Sequence, residues 1–208
     1  AEELRTALEK RLGDEWRTLL PLLWVRGEEA LTVRVRYIYM DALTRLTSDS
    51  FSEQIGDWCR AHGVEYIGHV IEDNGQDCRT GSSLGHYFRG LSGQDMSGID
   101  DIGGQVLPQG EDEPTINNYR KPRNGEFYHY GLASLARSAA AIEPRKRGRA
   151  MCEIFGNYGW AEGVRLEKYL VDHFLVRGVS HFVPHAFSPK AFPDPDCPPH
   201  FYADGHDA

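Results

Sequence analysis

The sequence predicts an α/β chain with a parallel sheet, read as part of a (β/α)8 TIM barrel, and three observations carry that prediction. Helix-like and strand-like stretches alternate four times along the chain, a rhythm that signals parallel strands joined by helical crossovers. No G-x-G-x-x-G or P-loop pattern is present, so the usual glycine-rich mark of a doubly wound nucleotide fold is missing. Instead, acids or a histidine follow every strand: Glu72 and Asp73, Asp100 and Asp101, Glu153, and His185. A (β/α)8 barrel collects its site from several strand ends, which matches this distribution. Four strands are half of such a barrel, and 208 residues fall below its usual length of about 250. The expectation is therefore a single domain over residues 1–208, the second half of a barrel, with its N-terminal half upstream.

Each element has its own signal. Leu4, Leu8 and Leu12 lie at helical spacing over residues 2–12, with Trp16 continuing the stripe. An apolar connector, Leu19 to Trp24, follows. Val33, Tyr37, Met40, Thr44, Thr47, Phe51, Ile55, Trp58 and His62 then recur every three or four residues and predict one long helix that Gly63 ends. Ser50-Phe-Ser-Glu53 also reads as a capping box, which leaves a break into two helices near residue 49 as the alternative. Val64 to Ile71 is a β-branched and aromatic run of strand length. A short helix is expected around 84–91, and a third element, read as a short strand, over 95–102. Residues 105–124 are rich in Gly, Pro, Asn and charge and read as loop.

The second half of the chain is more regular. Leu132, Leu135, Ala136, Ala139 and Ile142 form the apolar face of a helix over 125–142 that Pro144 stops. Arg149 to Phe155 reads as a buried strand. Leu166, Tyr169, Leu170, His173 and Phe174 share a face of a helix over 162–177, with Gly178 at its end. Val179 to His185 is the last strand, and the tail from Ala186 reads as loop.

Composition narrows the partners. A formal net charge of −8 disfavours nucleic acid, and the single basic cluster, Arg145 to Arg149, sits where a solvated turn is expected. No apolar run approaches the roughly 20 residues of a membrane span, and the opening Ala-Glu-Glu-Leu-Arg does not resemble a signal peptide. The cysteines Cys59, Cys78, Cys152 and Cys197 form no C-x-x-C pair. Cys59 and Cys152 fall inside helix and strand patterns as buried free thiols, which leans toward a reducing compartment and leaves the location open among bacterial cytoplasm, periplasm and secretion.

Glu153 is the most pointed candidate. It shares strand parity with Met151, while Cys152 and Ile154 point to the other face. A carboxylate on an apolar strand is costly unless something satisfies or uses it. At the end of its strand, beside Tyr158 and Trp160, it suits a catalytic group facing a ring-shaped substrate. The plainer alternative is a structural acid paired with an arginine from a neighbouring helix.

Four segments carry a resemblance. They are Phe51-Ser-Glu-Gln-Ile-Gly-Asp-Trp-Cys59, Tyr66-Ile-Gly-His-Val-Ile-Glu-Asp73, Met151-Cys-Glu-Ile-Phe-Gly-Asn-Tyr-Gly-Trp160 and Gly178-Val-Ser-His-Phe-Val-Pro-His185. In this order, over residues 15–205, the chain resembles the C-terminal half of the catalytic barrel of clan A glycoside hydrolases, specifically large bacterial proteins related to families 42, 106 and 2. The resemblance implies that the four strands are the fifth to eighth of the barrel and that Glu153, ending the seventh, is the nucleophile. It also implies a general acid/base on the fourth strand, upstream of residue 1, so that the fragment alone is expected to be inactive.

The expected activity is hydrolysis of a glycosidic bond in an oligosaccharide or glycoside, without cofactor or metal. A retaining pair of carboxyls stands roughly 5–5.5 Å apart and an inverting pair roughly 6.5–9.5 Å. Asp100 is the second catalytic candidate. His69, Glu72, Asp73, Asp101, Tyr158, Trp160 and His185 are candidate substrate ligands, with loop caps and core packing as their alternatives. The expected protein partner is the rest of the same polypeptide, with neither nucleic acid nor membrane involved. Two rival functions remain: a carbohydrate-binding pseudoenzyme, and a zinc-dependent hydrolase built from His181, His185, Cys197, His200 and His206.

Overall fold

The computed structural model describes residues 2–70, 85–112, 124–156, 158 and 162–185. The chain divides into two compact units, residues 1–66 with 76–94, and residues 67–75 with 95–208. Among the described residues no helix is long and apolar enough to cross a membrane.

The first unit is helical. Helix α1 spans Glu2–Leu12, α2 Trp16–Leu19, α3 Glu29–Thr47 and α4 Gln54–Ala61, and the short α5 spans Tyr87–Gly90. Leu8, Trp16 and Ile38 are buried together, with Leu4, Leu12, Leu20 and Tyr39 packed around them. The leucine stripe of α1 thus finds its partner on α3. Asp41 of α3 adds a polar clamp. It pairs with Arg11 of α1 at 2.7 Å, Arg45 one turn on at 3.2 Å, and Arg89 of α5 at 2.8 Å. Burial alone would raise the Asp41 carboxyl, but the hydrogen bonds from Arg11, Arg89 and Arg45 reverse this and hold it down to about 2.

The long helix expected from residue 32 is present as a continuous helical run, α3 and α4 joined by a π-turn over Ser48–Glu53. The capping box therefore does not form: Ser50 and Glu53 lie inside the helical path, and no side chain caps α4. The wide turn coincides with a close backbone approach. Gly93 donates its N–H to the Ser52 hydroxyl at 3.0 Å, and a Cβ at Gly93 would lie 1.8 Å from the Ser52 carbonyl oxygen. Gly63, at φ +73°, ends the run as the sequence predicts.

The second unit holds a four-stranded, all-parallel sheet in the order β1-β2-β3-β4, curled as a half-barrel. The strands are β1 Ile67–Gly68, β2 Met96–Ile102, β3 Ala150–Gly156 and β4 His181–Pro184. Helix α6, Leu132–Ile142, follows a π-turn at Phe127–Gly131, and α7 covers Gly163–Leu175. β1 is shorter than the strand expected over 64–71: only Ile67 and Gly68 pair with β2, and Ile71 lies outside the described residues.

Alternation assigns the two faces. Ser97, Ile99, Cys152 and Ile154 are fully buried on one face, where the Ser97 hydroxyl donates to the Ala136 carbonyl of α6 at 3.1 Å. Ala133, Ala136 and Ala140 are buried along α6, and their small side chains allow that close approach. The other face carries Met96, Gly98 and Asp100 on β2, Met151 and Glu153 on β3, and His181 and Val183 on β4. It is closed at Met96 and Met151 and more open at β4, where Val183 is 43% exposed.

Gly98 sets the spacing of this face. A Cβ there would lie 2.1 Å from the Gly68 carbonyl oxygen and 2.9 Å from Cγ of Met151, so β1 and β2 would have to part. Gly98→Ala is expected to destabilise the sheet by about 2–3 kcal/mol, measured as a lower midpoint in urea unfolding. An unchanged midpoint would contradict the strand spacing described.

Candidate functional site

The β2–β3 register places Asp100 directly opposite Glu153 on the inner face. Parallel neighbours in register point the same way, so two carboxylates separated by 53 positions in sequence become neighbours in space. His69, one residue beyond the end of β1, joins them: its Nε2 lies 2.9 Å from Oε2 of Glu153. His185, just after β4, approaches from the other side, with Nε2 at 3.5 Å from Oε1 of Glu153. The donor atoms of His69, Asp100 and Glu153 all lie within 4.8 Å of one another.

Local backbone features aim these groups. The β2–β3 register shifts between Asp100 and Ile102, and Phe155 adopts φ +77°. A left-handed residue other than Gly, Asn or Asp costs roughly 1–3 kcal/mol and persists only where its surroundings hold it. Bulges of this kind turn strand ends and re-aim side chains. Beyond this bulge, Gly156 lies against the His185 ring, where an added Cβ would be 3.2 Å from Nδ1. The His185 N–H donates to the Ile154 carbonyl at 2.8 Å, which fixes the residue at the end of β4.

The hydrogen bonds of His69 count protons. Its Nδ1 lies 2.8 Å from the Val70 carbonyl oxygen, which can only accept, so Nδ1 carries hydrogen. A hydrogen bond between Nε2 and the Glu153 carboxyl then needs one further proton, on the ring or on the acid. His69 and Glu153 therefore hold one proton between them. The hydrogen bond from His69 draws the Glu153 pKa below its ordinary value, outweighing the burial that raises it, and the charges of His69 and His185 act in the same direction. The proton that the two share therefore leans toward the His69 side.

Asp100 is 8% exposed, whereas His69 and Glu153 are half-buried. Among the described residues, the more exposed edge of the group is therefore its His69 and Glu153 side. Two acids this close repel when both are ionised, so the arrangement suits a proton shared among them, a bound cation, or a transition state of positive character.

Asp101 and Tyr158 are not brought to this group. Asp101 is fully buried on the opposite face of β2 and accepts from the Tyr158 hydroxyl at 2.9 Å. The same phenol oxygen takes the Val106 N–H at 3.1 Å. Burial, followed by the Asp101 charge, raises the Tyr158 pKa well above its usual value. The two residues expected as substrate ligands instead form a pair, apart from Asp100 and Glu153, that ties the segment after β3 to the loop after β2. Strand parity is the physical reason, since Asp100 and Asp101 are consecutive and must point to opposite faces.

Glu72, Asp73 and Trp160, and the tail residues Cys197, His200 and His206, lie outside the described residues. His181, on the inner face of β4, is exposed, and its Nδ1 lies 2.9 Å from the Ser180 hydroxyl.

Two further polar features carry no mark in the sequence. Glu162 precedes α7 with a buried carboxyl oxygen that has no hydrogen-bond partner among the described residues; burial, with the Glu167 charge, pushes its pKa up to about 7. His173, read from sequence as part of the apolar face of α7, is buried against the His129 ring, and burial above all lowers its pKa to about 4. It is a neutral core imidazole at neutral pH.

No family model, no curated protein and no solved structure matches this chain.

Removal of His69 tests the electrostatics of the site. In His69→Ala the Glu153 carboxyl should titrate at higher pH than in the unmodified protein, because the hydrogen bond that lowers its pKa is gone. Carbon-13 NMR of labelled glutamate side chains reads this, and an unmoved Glu153 titration would contradict the pairing.

Proposed function

We propose that this chain carries the catalytic carboxyl pair of a glycoside hydrolase, with Glu153 as nucleophile and Asp100 as its partner acid/base. The observation that supports it is the in-register pairing of Asp100 with Glu153 on the open face of a curled parallel sheet, with His69 hydrogen-bonded to the Glu153 carboxylate. An oxygen of each acid lies within 4.8 Å of one of the other, an approach that favours the narrower, retaining arrangement of carboxyls over the inverting one of roughly 6.5–9.5 Å. On this reading the second acid lies inside the chain, whereas the family resemblance looks for it upstream.

In the retaining sequence, ionised Glu153 attacks the anomeric carbon while protonated Asp100 gives its proton to the departing glycosidic oxygen. The covalent glycosyl ester forms as the C–O bond to the leaving group breaks. Asp100, now a carboxylate, takes a proton from water, and that water releases the sugar from Glu153 and regenerates both groups. Asp100, the more enclosed of the two, is assigned the acid/base role. His69 and His185 favour the ionised form of Glu153.

Glu153→Gln in the full-length protein should lower the hydrolysis of aryl glycosides by about a thousandfold or more while leaving circular dichroism unchanged. A panel of aryl glycosides differing in sugar provides the assay. Glu153→Gln activity within about tenfold of the unmodified protein would remove Glu153 from the mechanism.

A further inference from the structure

We propose that His69, Asp100 and Glu153 form a binding site for a divalent transition-metal ion, one imidazole and two carboxylates converging from β1, β2 and β3. Their donor atoms lie within 4.8 Å of one another. Ligand atoms around a metal at about 2.0–2.2 Å stand roughly 3–4 Å apart, so small side-chain rotations close the set. The donor types select the ion. An imidazole with two carboxylates suits zinc, manganese or iron better than calcium or magnesium, which favour oxygen throughout.

The hydrogen bonds behind the donors are of the kind that metal sites use. His69 directs Nδ1–H to the Val70 carbonyl at 2.8 Å, which fixes the ring and aims Nε2 at the two carboxylates. His185, 3.5 Å from the Glu153 oxygen Oε1, orients that carboxylate from the far side and leaves Oε2 toward His69. Asp100 is held by its buried strand, while His69 and Glu153 are only half-buried, the more exposed side of the three donors.

The site differs from the zinc arrangement that the sequence suggests, which draws on the His- and Cys-rich C-terminal tail. Here no sulfur takes part, and the ligands come from three consecutive strands. The inference rests on the donor geometry and not on the glycosidase reading. The ion and the glycosidic reaction need the same two acids, so occupancy by one excludes the other: zinc acts on the proposed hydrolase as a reversible inhibitor.

Isothermal titration of the full-length, chelator-treated protein with zinc chloride tests binding without any assay of activity. One zinc per chain is expected, with affinity at least about a hundredfold weaker in His69→Gln and in Asp100→Asn, and unchanged in the tail variant Cys197→Ser. Circular dichroism confirms that each variant is folded. Cobalt, as a second probe, should give visible absorption without sulfur-to-metal charge transfer. Zinc binding that survives both His69→Gln and Asp100→Asn, or that is lost in Cys197→Ser, overturns the site, as does an absence of stoichiometric binding. Hydrolysis of aryl glycosides is read separately, so either proposal stands or fails without the other.

Discussion

The register between β2 and β3 is the constraint from which the site follows. Pairing Asp100 with Glu153 puts two acids on one face, and the absence of a side chain at Gly98 lets the Gly68 carbonyl of β1 lie against β2. His69 follows directly on β1 and reaches Glu153 on β3, two strands away. A shift of one residue in the register would turn Glu153 toward the helices and Cys152 toward the open face. The buried faces oppose that shift: Ile99, Cys152 and Ile154 are fully buried and Ser97 is hydrogen-bonded to α6.

That geometry sets the chemistry within narrow terms. Two carboxyls so close need positive charge between or beside them, and His69 supplies it through the proton that it holds jointly with Glu153. Whatever else enters the site must replace that proton or work with it. A glycosyl transition state brings positive charge at the anomeric carbon, and a divalent cation brings it directly. The two would bring positive charge to the same carboxyl pair by different partners, while the metal site itself stands on the geometry of its donors. The backbone strain at Phe155 and the register shift beside it fall just past Glu153, where the strand ends and His185 packs against Gly156.

Much of this was legible from sequence where a single element carries the signal. The leucine stripe of α1, the alanine-rich face of α6 and the strands around Asp100 and Glu153 all follow from local periodicity. The π-turn at Ser48–Glu53 was not legible, because it depends on a close approach by Gly93, about forty positions away. The same holds for Asp41, whose three arginines come from α1, α3 and α5. At the site, parity identified the face of Glu153, but its hydrogen bond to His69 spans 84 positions and depends on the order of strands in the sheet. Parity also separates Asp100 from Asp101. What it lacks is knowledge of which face the helices cover, and the hydrogen bond from Ser97 to α6 supplies that.

The most direct test of the account is the protonation of the His69 ring, read from nitrogen-15 NMR of histidine-labelled protein at neutral pH in chelator, with Glu153→Gln alongside. The account predicts that Nδ1 and Nε2 both carry hydrogen in the unmodified protein, and that the Nε2 signal shifts when Glu153 becomes an amide. A neutral ring whose signals are the same in both proteins would contradict the His69–Glu153 pair.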